Sequence, residues 1–293
     1  MPAHTAAAGS ELDINNVAMT ARKALAYAAG IMDTSGHVFD DDRPDGIIAP
    51  PQYCVSLEWP VVNGELSRSL VGMTAVEKVR SVHASQDSIF HQPIRPGMNL
   101  STTGTIAAIR RTRAGALTLT KLTTRDEDSG QPVVTSWSSG IARNVAVVGE
   151  DVNLEAAPAL PDVARGVARG ADRDVAETIE IFIPREMPHT YTECADIWNP
   201  IHTEREVAIA SGLPDIILHG TATWALAGRE VIGRCCDGDP ARLKRLYGRF
   251  TAMVIPGTTI RVELGKTHNG IVGFTVYNDQ DQAVVSNGVG VID

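Results

Sequence analysis

The segment Asn199-Pro200-Ile201-His202 presents a histidine on a turn whose backbone is restricted by proline. Further along the chain, His219-Gly220 precedes an alanine-rich apolar segment that predicts a helix. Histidine can carry a proton near neutral pH, and the first N–H groups of a helix can bind a negatively charged oxygen. The two segments therefore predict one acid/base site for a small polar ligand.

The sequence around this site predicts the elements that would hold it. Residues 221–236 are apolar almost all round, which is typical of a buried helix. Other stretches alternate apolar residues with Thr, Arg and Ser and are separated by Gly, Asn or Asp, which predicts antiparallel strands. These stretches are 100–109, 116–124 and 133–148 in the first half, and 249–255, 259–266, 271–277 and 283–292 in the second. The prediction is an α+β fold in which a sheet curls around a central helix, twice.

The chain also predicts an internal duplication. Three pairs of short segments match in the same order, and their spacing shortens from one pair to the next, as deletions in loops would produce. They are 47–51 with 216–220, 96–97 with 256–257, and 133–134 with 284–285. We expect two domains, residues 13–149 and 178–293, joined by a linker at 150–177. Pro51 matches Gly220 and has no N–H to donate, so we expect one working site, in the second domain.

The composition argues against several classes of partner. The 293 residues carry a formal net charge of -9, and the Lys and Arg residues are scattered, so we expect no nucleic-acid partner. No apolar run approaches the ~20 residues that cross a bilayer, and we expect no membrane partner. The four cysteines lack metal-ligand spacing and no triad of His and carboxylate has a usable spacing, so we expect no metal. Gly288-Val289-Gly290 lacks the following Gly and helix of a dinucleotide-binding loop, and we expect no cofactor. Free thiols favour a reducing, cytoplasmic location.

The motif around His202 resembles that of the MaoC-type (R)-specific enoyl-CoA hydratases and the related 3-hydroxyacyl thioester dehydratases. The family motif is Tyr-x-x-x-Ser-Gly-Asp-x-Asn-Pro-x-His, followed by Ala-His-Gly at the start of a central helix. Here Tyr191, Asn199, Pro200, His202 and the pair His219-Gly220 occur in register. The first half is similar more loosely. Together the two halves resemble a double hotdog, in which two antiparallel sheets each wrap around a central helix, with the second copy better formed.

The resemblance implies hydration or dehydration of an enoyl or 3-hydroxyacyl thioester, carried by CoA or by an acyl carrier protein, in fatty acid or polyketide metabolism. Gly220 N–H would donate to the thioester carbonyl, and His202 would move the proton. Asn199 would fix the turn, His219 would orient the helix start, and Trp198 would narrow the acyl pocket. Hotdog domains usually pair, so the two copies can pair within one chain. A homodimer or a separate hotdog partner subunit stays open.

The sequence departs from the family motif at the catalytic acid. The family has an Asp five residues before the His, and here that position is Ile197, whose side chain can neither hold water nor carry a proton. Asp196 is the nearest local candidate for the missing carboxylate. Aligning Tyr27 with Tyr191 places Asp33 opposite Ile197, which offers a candidate from the first half. The alternative for Asp33 is a polar turn.

Three functional hypotheses follow. The first is a thioester hydratase or dehydratase that uses His202 and a replacement carboxylate. The second is a thioester double-bond isomerase, or a related proton-transfer enzyme at the same site, because one base can take and return the same proton. The third is a catalytically silent acyl-binding or scaffold subunit of the hotdog type, which the substitution at Ile197 suggests.

Two further groups of residues receive no place in the predicted site. His83, His91 and His268 show no partner pattern in the sequence. The basic residues within 242–245 are expected on a solvated face, with contact to a CoA phosphate as the alternative.

Overall fold

The computed structural model describes residues 2–70, 74, 81–161 and 175–293. Its strands are β1 (Ala3–His4), β2 (Asn15–Ala18), β3 (Ser81–Phe90), β4 (Asn99–Thr112), β5 (Gly115–Asp126), β6 (Pro132–Arg143), β7 (Val147–Val148), β8 (Val152–Asn153), β9 (Val175–Phe182), β10 (Leu243–Phe250), β11 (Thr259–Gly265), β12 (Ile271–Tyr277) and β13 (Ala283–Ile292). Its helices are α1 (Ala21–Gly30), α2 (Gly36–Phe39), α3 (Cys54–Val62), α4 (Glu65–Leu70), α5 (Met187–Ala195), α6 (Arg205–Ala210) and α7 (Gly220–Cys235).

Within the described residues, eleven strands form one sheet whose order has an internal symmetry. The order is β2-β4-β5-β6-β3-β10-β13-β12-β11-β9, with β8 beside β4. Outward from the centre, the first half has β3, β6, β5, β4 and β2, and the second half has β10, β13, β12, β11 and β9. In each half, these are the second, fifth, fourth, third and first of the five strands in chain order. β3 and β10 join the two sides as an antiparallel pair, with Asp87 opposite Tyr247. This arrangement confirms the predicted α+β double hotdog, and the two copies pair within the chain.

Matched backbone hydrogen bonds confirm the duplication. The equivalent pairs are Ala49 N to Ile94 O and Leu218 N to Val254 O (2.9 Å each), Ile48 N to His37 O (2.9 Å) and Ile217 N to Ile201 O (3.4 Å), and His91 N to Val133 O (2.9 Å) and Thr251 N to Val284 O (3.1 Å). After α1 and α5, Met32 and Asp196 both adopt the left-handed conformation, with φ of 54° and 55°. Asp33 in the first half is therefore the structural equivalent of Ile197 in the second.

The two central helices differ in length. α7 has 16 residues and is buried along most of its length, with Trp224 and Leu226 fully enclosed. Its bounds lie one residue before the predicted 221–236. α3 has 9 residues, contains Pro60, and follows a 3-10 turn at Pro51–Tyr53. A proline inside a helix removes a backbone hydrogen bond, which agrees with the shorter helix of the first half.

One predicted strand and one predicted surface are wrong. The strand expected at 249–255 is β10, which ends at Phe250. Arg245 is buried rather than solvated: its guanidinium donates to both carboxylate oxygens of Asp87, at 2.8 and 2.6 Å, and to Pro158 O at 2.6 Å. Such an ion pair allows an arginine side chain to lie buried on a strand. Arg245 is therefore engaged within the protein and is not free for a CoA phosphate.

The predicted linker at 150–177 contains β8, and β9 begins at Val175 within it. Residues 162–174 lie outside the described part, so the domain bounds stay a prediction. Among the helices of the described residues, none has the length and apolar character needed to cross a membrane.

Candidate active site

His202 is held at the end of a 3-10 turn, Pro200–His202. Asn199 forms the turn: its side-chain oxygen accepts from Ile201 N at 3.4 Å, and its carbonyl accepts from His202 N at 3.0 Å. His202 Nδ1 lies 2.8 Å from Ile217 O. Because a carbonyl oxygen only accepts, Nδ1 carries the hydrogen in the neutral ring, and Nε2 keeps its lone pair.

His219 stacks on His202 and connects two segments of the site. The two imidazole centroids lie 3.6 Å apart, with an angle of 24° between the rings. His219 Nε2 lies 3.2 Å from Ile197 O and 3.2 Å from Thr192 Oγ1. The ring thus ties α5 and the residues after it to the start of α7, which is the orienting role that the resemblance implies.

Burial keeps both imidazoles uncharged. It lowers the pKa of His202 to about 4, against a smaller opposing effect of the hydrogen bond to Ile217. Burial also lowers the pKa of His219 well below its ordinary value, and the neighbouring His202 adds to that shift. At neutral pH the site therefore contains a neutral His202 imidazole whose Nε2 carries a lone pair.

Gly220 is the first residue of α7, and its N–H forms no hydrogen bond within the described residues. The first N–H groups of a helix have no partner within the helix and lie at the positive end of its dipole. A Cβ at Gly220 would lie 3.1 Å from Phe250 Cδ1, so glycine allows the aromatic ring to approach the helix start. This N–H can therefore donate to an external oxygen.

The structure does not bring the two candidate carboxylates to His202. Asp196 ends α5 and is exposed to solvent, whereas Ile197 is 3% exposed. The charge of Asp196 acts instead on Tyr53, a residue of the first half. Burial is the larger cause and Asp196 the smaller one, and together they raise the pKa of Tyr53 to about 12. Since His219 holds the carbonyl of Ile197, Asp196 does not shift into the buried position.

Asp33 lies in the polar turn that was the alternative for it. Its side chain is 6% exposed, and Oδ1 accepts from Ser35 N at 3.0 Å. Trp198 is 58% exposed and lies at the surface beside the turn that carries His202. Across the described residues, no carboxylate forms a salt bridge with His202 or His219. The site therefore combines one proton-accepting imidazole with one unbonded helix-start N–H.

Sequence reasoning missed His83. Its ring lies 4.7 Å from the ring of Phe250, next to the start of α7. The contact depends on the pairing of β3 with β10, so no local pattern around His83 could signal it. Tyr27 and Tyr191, which the alignment treats as equivalent, also lie in contact, with their hydroxyl oxygens 3.4 Å apart where α1 and α5 meet.

The fold and this site define a double hotdog protein with one histidine-bearing helix start, in its second half. Residues 170–287 match the family described as MaoC like domain, and residues 6–136 match the FAS1-like dehydratase domain region. The second half is therefore similar to MaoC-like domains, and the first half to the FAS1-like dehydratase domain region.

Relatives and solved structures agree with this assignment. The chain is 30% identical to a probable enoyl-CoA hydratase 2 of Dictyostelium discoideum over 61% of its own length and 58% of that protein. It is 27% identical to 3-hydroxyacyl-thioester dehydratase Y of Mycobacterium tuberculosis, over 86% of this chain and 83% of that one. The structure of a MaoC-like dehydratase from Phytophthora capsici superposes with a TM-score of 0.82 at 22% identity, covering 97% and 96% of the two chains.

Proposed function

We propose that this protein adds water to an enoyl thioester, or removes water from a 3-hydroxyacyl thioester, whose acyl group is carried by CoA or by an acyl carrier protein. The observation that carries the proposal is the stacking of His202 on His219, the residue before Gly220, which brings two groups to the start of α7. One is the neutral imidazole of His202, fixed through Nδ1, and the other is the unbonded N–H of Gly220. The relatives named as hydratase and dehydratase support the same chemistry.

In the hydration direction, the thioester carbonyl accepts a hydrogen bond from Gly220 N–H. His202 Nε2 takes a proton from water while the water oxygen bonds to C3, and the electron pair of the double bond moves toward the thioester oxygen. The helix-start N–H stabilises that negative charge. The protonated imidazole then gives its proton to C2, which restores the neutral ring. Dehydration is the reverse.

Isomerisation of a thioester double bond is the second candidate, and the apolar side chain of Ile197 favours it. A hydratase of this family uses a carboxylate to help hold the attacking water, and Ile197 cannot do so. Isomerisation needs only one base that removes a proton from one carbon and returns it to another. His202 and Gly220 are sufficient for that reaction.

The test is incubation of the purified full chain with crotonyl-CoA in D2O, followed by proton NMR of the acyl group. A hydratase forms 3-hydroxybutyryl-CoA, and His202→Ala abolishes that product. An isomerase incorporates deuterium into the acyl chain without forming the hydroxyl compound. Absence of both products with CoA and carrier-protein thioesters would contradict the proposal and leave the silent acyl-binding hypothesis.

A further inference from the structure

His83 belongs to the first half of the chain but lies beside the site of the second half. It sits on β3, and its Nε2 lies 3.1 Å from Ser138 Oγ. Its ring packs on Phe250, with centroids 4.7 Å apart and the rings tilted by 48°. The same Phe250 ring lies against Gly220. One aromatic ring therefore connects His83 with the helix start that presents the unbonded N–H.

The internal symmetry identifies the counterpart of His83. Asp87 and Tyr247 face each other at the centre of the β3–β10 pair. Counted back from these two residues by the same number of positions, His83 corresponds to Leu243. Counted forward in the same way, Phe90 corresponds to Phe250.

The counterparts line a cleft in the first half. Leu243, Phe90 and Pro51 are all among the residues that surround it. Their equivalents are His83, Phe250 and Gly220. By this symmetry, His83 takes the position beside Phe250 and Gly220 that Leu243 has beside Phe90 and Pro51.

We propose that His83 is a ligand-contacting residue of the second-half site, supplied across the boundary between the two halves. This inference rests on the proposed function in one respect, the identity of the ligand as an acyl thioester. The first half thus contributes to ligand binding through His83, although its own helix start has Pro51 in place of Gly220 and cannot donate an N–H.

The chemistry of His83 fits contact with the thioester end of the ligand. The hydroxyl of Ser138 fixes one ring nitrogen, so the orientation of the imidazole is set before the ligand arrives. Burial lowers the pKa of His83 to about 4, against the opposing hydrogen bonds with the Ser85 backbone and the Gln86 side chain, so the ring is neutral and is a hydrogen-bonding group rather than a charge. It adds a third polar group to the His202 imidazole and the Gly220 N–H, at a site where no carboxylate of the described residues pairs with His202 or His219.

Binding and turnover of three variants test the proposal. His83→Leu introduces the residue that the first-half cleft has, and His83→Gln keeps a hydrogen-bonding side chain. His91→Leu is the matched control, because His91 Nε2 is also paired with a hydroxyl of β6, at 2.9 Å from Thr135 Oγ1. Binding of butyryl-CoA, which has no double bond to hydrate, is measured by calorimetry, and kcat and KM are measured with crotonyl-CoA.

We expect His83→Leu to raise the Kd for butyryl-CoA about three- to tenfold, the value of one lost hydrogen bond, with a parallel rise in KM. His83→Gln should recover part of that loss, and His91→Leu should stay within about twofold of the unmodified protein. Equal binding and equal KM in His83→Leu and His91→Leu would overturn the proposal.

Two further outcomes keep the inference separate from the proposed function. If the protein shows no turnover but His83→Leu still weakens butyryl-CoA binding, the inference holds and only the proposed reaction is wrong. If His83→Leu does not fold, NMR of the histidine rings in the unmodified protein decides. Butyryl-CoA should then shift the resonances of His83 and leave those of His91 unchanged, and unshifted His83 resonances would contradict the inference.

Discussion

The two halves of this protein share one architecture but differ at the positions of the proposed catalytic groups. Val38 in the first half corresponds to His202 in the second. The residues before them, His37 and Ile201, have carbonyls that accept from the equivalent amides of Ile48 and Ile217. Where the second half has His219 and Gly220, the first has two prolines, Pro50 and Pro51. The first half thus keeps the sheet and the helix but has no counterpart of the proposed proton carrier or of the proposed N–H donor.

The interiors of the two halves also differ. In the first half, Glu58 on α3 accepts from Gln86 Nε2 at 2.9 Å, and the same nitrogen lies 2.9 Å from Ser88 Oγ. Ser88 in turn lies 2.8 Å from Ser136 Oγ. These side chains are at most 3% exposed. In the alignment that matches Pro51 with Gly220, Glu58 corresponds to Ala227 in α7. The first half has a polar network where the second half packs an apolar helix.

The largest expected effect comes from giving the second half the first-half residue at the proton carrier. His202→Val should lower kcat by about 10²- to 10⁴-fold, the contribution of a general acid/base group. His268→Val is the control, because that histidine lies exposed in a turn before β12. Steady-state kinetics with crotonyl-CoA and circular dichroism measure the two effects. A folded His202→Val variant with the same kcat as the control would show that the comparison does not explain catalysis.

Gly220→Pro gives the second half the residue that the first half has at its helix start, Pro51. Proline fits the first position of a helix, and the preceding His219 has the extended backbone that proline requires, with φ −57° and ψ 136°. The variant should fold but lose the N–H donor, which lowers kcat by about 10²- to 10³-fold.

Gly220→Ala separates the donor from the added carbon. It keeps the N–H but introduces a Cβ 3.1 Å from Phe250, as proline also would. We expect it to retain most of the activity that Gly220→Pro loses. If both variants lose activity equally, the effect comes from crowding against Phe250 and not from the hydrogen bond.

Glu58→Gln tests the difference between the two interiors. Burial raises the pKa of Glu58 to about 7, against the opposing hydrogen bonds from Ser136 and Gln86. A raised pKa means that the folded state holds its proton more tightly, so this contribution to stability is present at low pH and is lost as the pH rises through about 7. Between pH 5 and 8 the unmodified protein should lose about 2 to 3 kcal/mol of unfolding free energy from this group.

Urea unfolding at these two pH values measures that loss. Glu58→Gln cannot ionise and should not show it, whereas the exposed Glu65→Gln should behave as the unmodified protein does. The same pH dependence in both variants would mean that Glu58 is not the buried group that titrates.

The sequence predicted the second half more closely than the first. The bounds of β12 and β13 agree with the prediction, because alternation of apolar and polar residues along one strand is a local signal. β10 was misplaced because its buried Arg245 reads as a surface residue. Its partner, Asp87, lies 158 residues away, and no local pattern reveals such a pair.

The candidate site shows the same limit. His202 and Gly220 were found because they belong to one continuous motif. The contact of His83 with Phe250, and the separation of Asp196 from His202, follow from the pairing of the two halves and from a left-handed backbone at Asp196. These are tertiary facts. Sequence reasoning could therefore name the proposed proton carrier but could not decide which carboxylate, if any, assists it.

The smallest expected effect is that of Asp196→Asn, and it decides whether the second half works without the family's acid. The Asp196 side chain is in solvent, and its charge acts on Tyr53 rather than on either imidazole. We expect kcat to change by less than about threefold, as for a surface substitution, and the same for Asp33→Asn, since an amide oxygen can still accept from Ser35 N. Kinetics with crotonyl-CoA measure both. A loss of 10²-fold or more in Asp196→Asn, on the order of a general acid/base contribution, would mean that the loop after α5 rearranges when substrate binds, and that the carboxylate reaches His202 in that state.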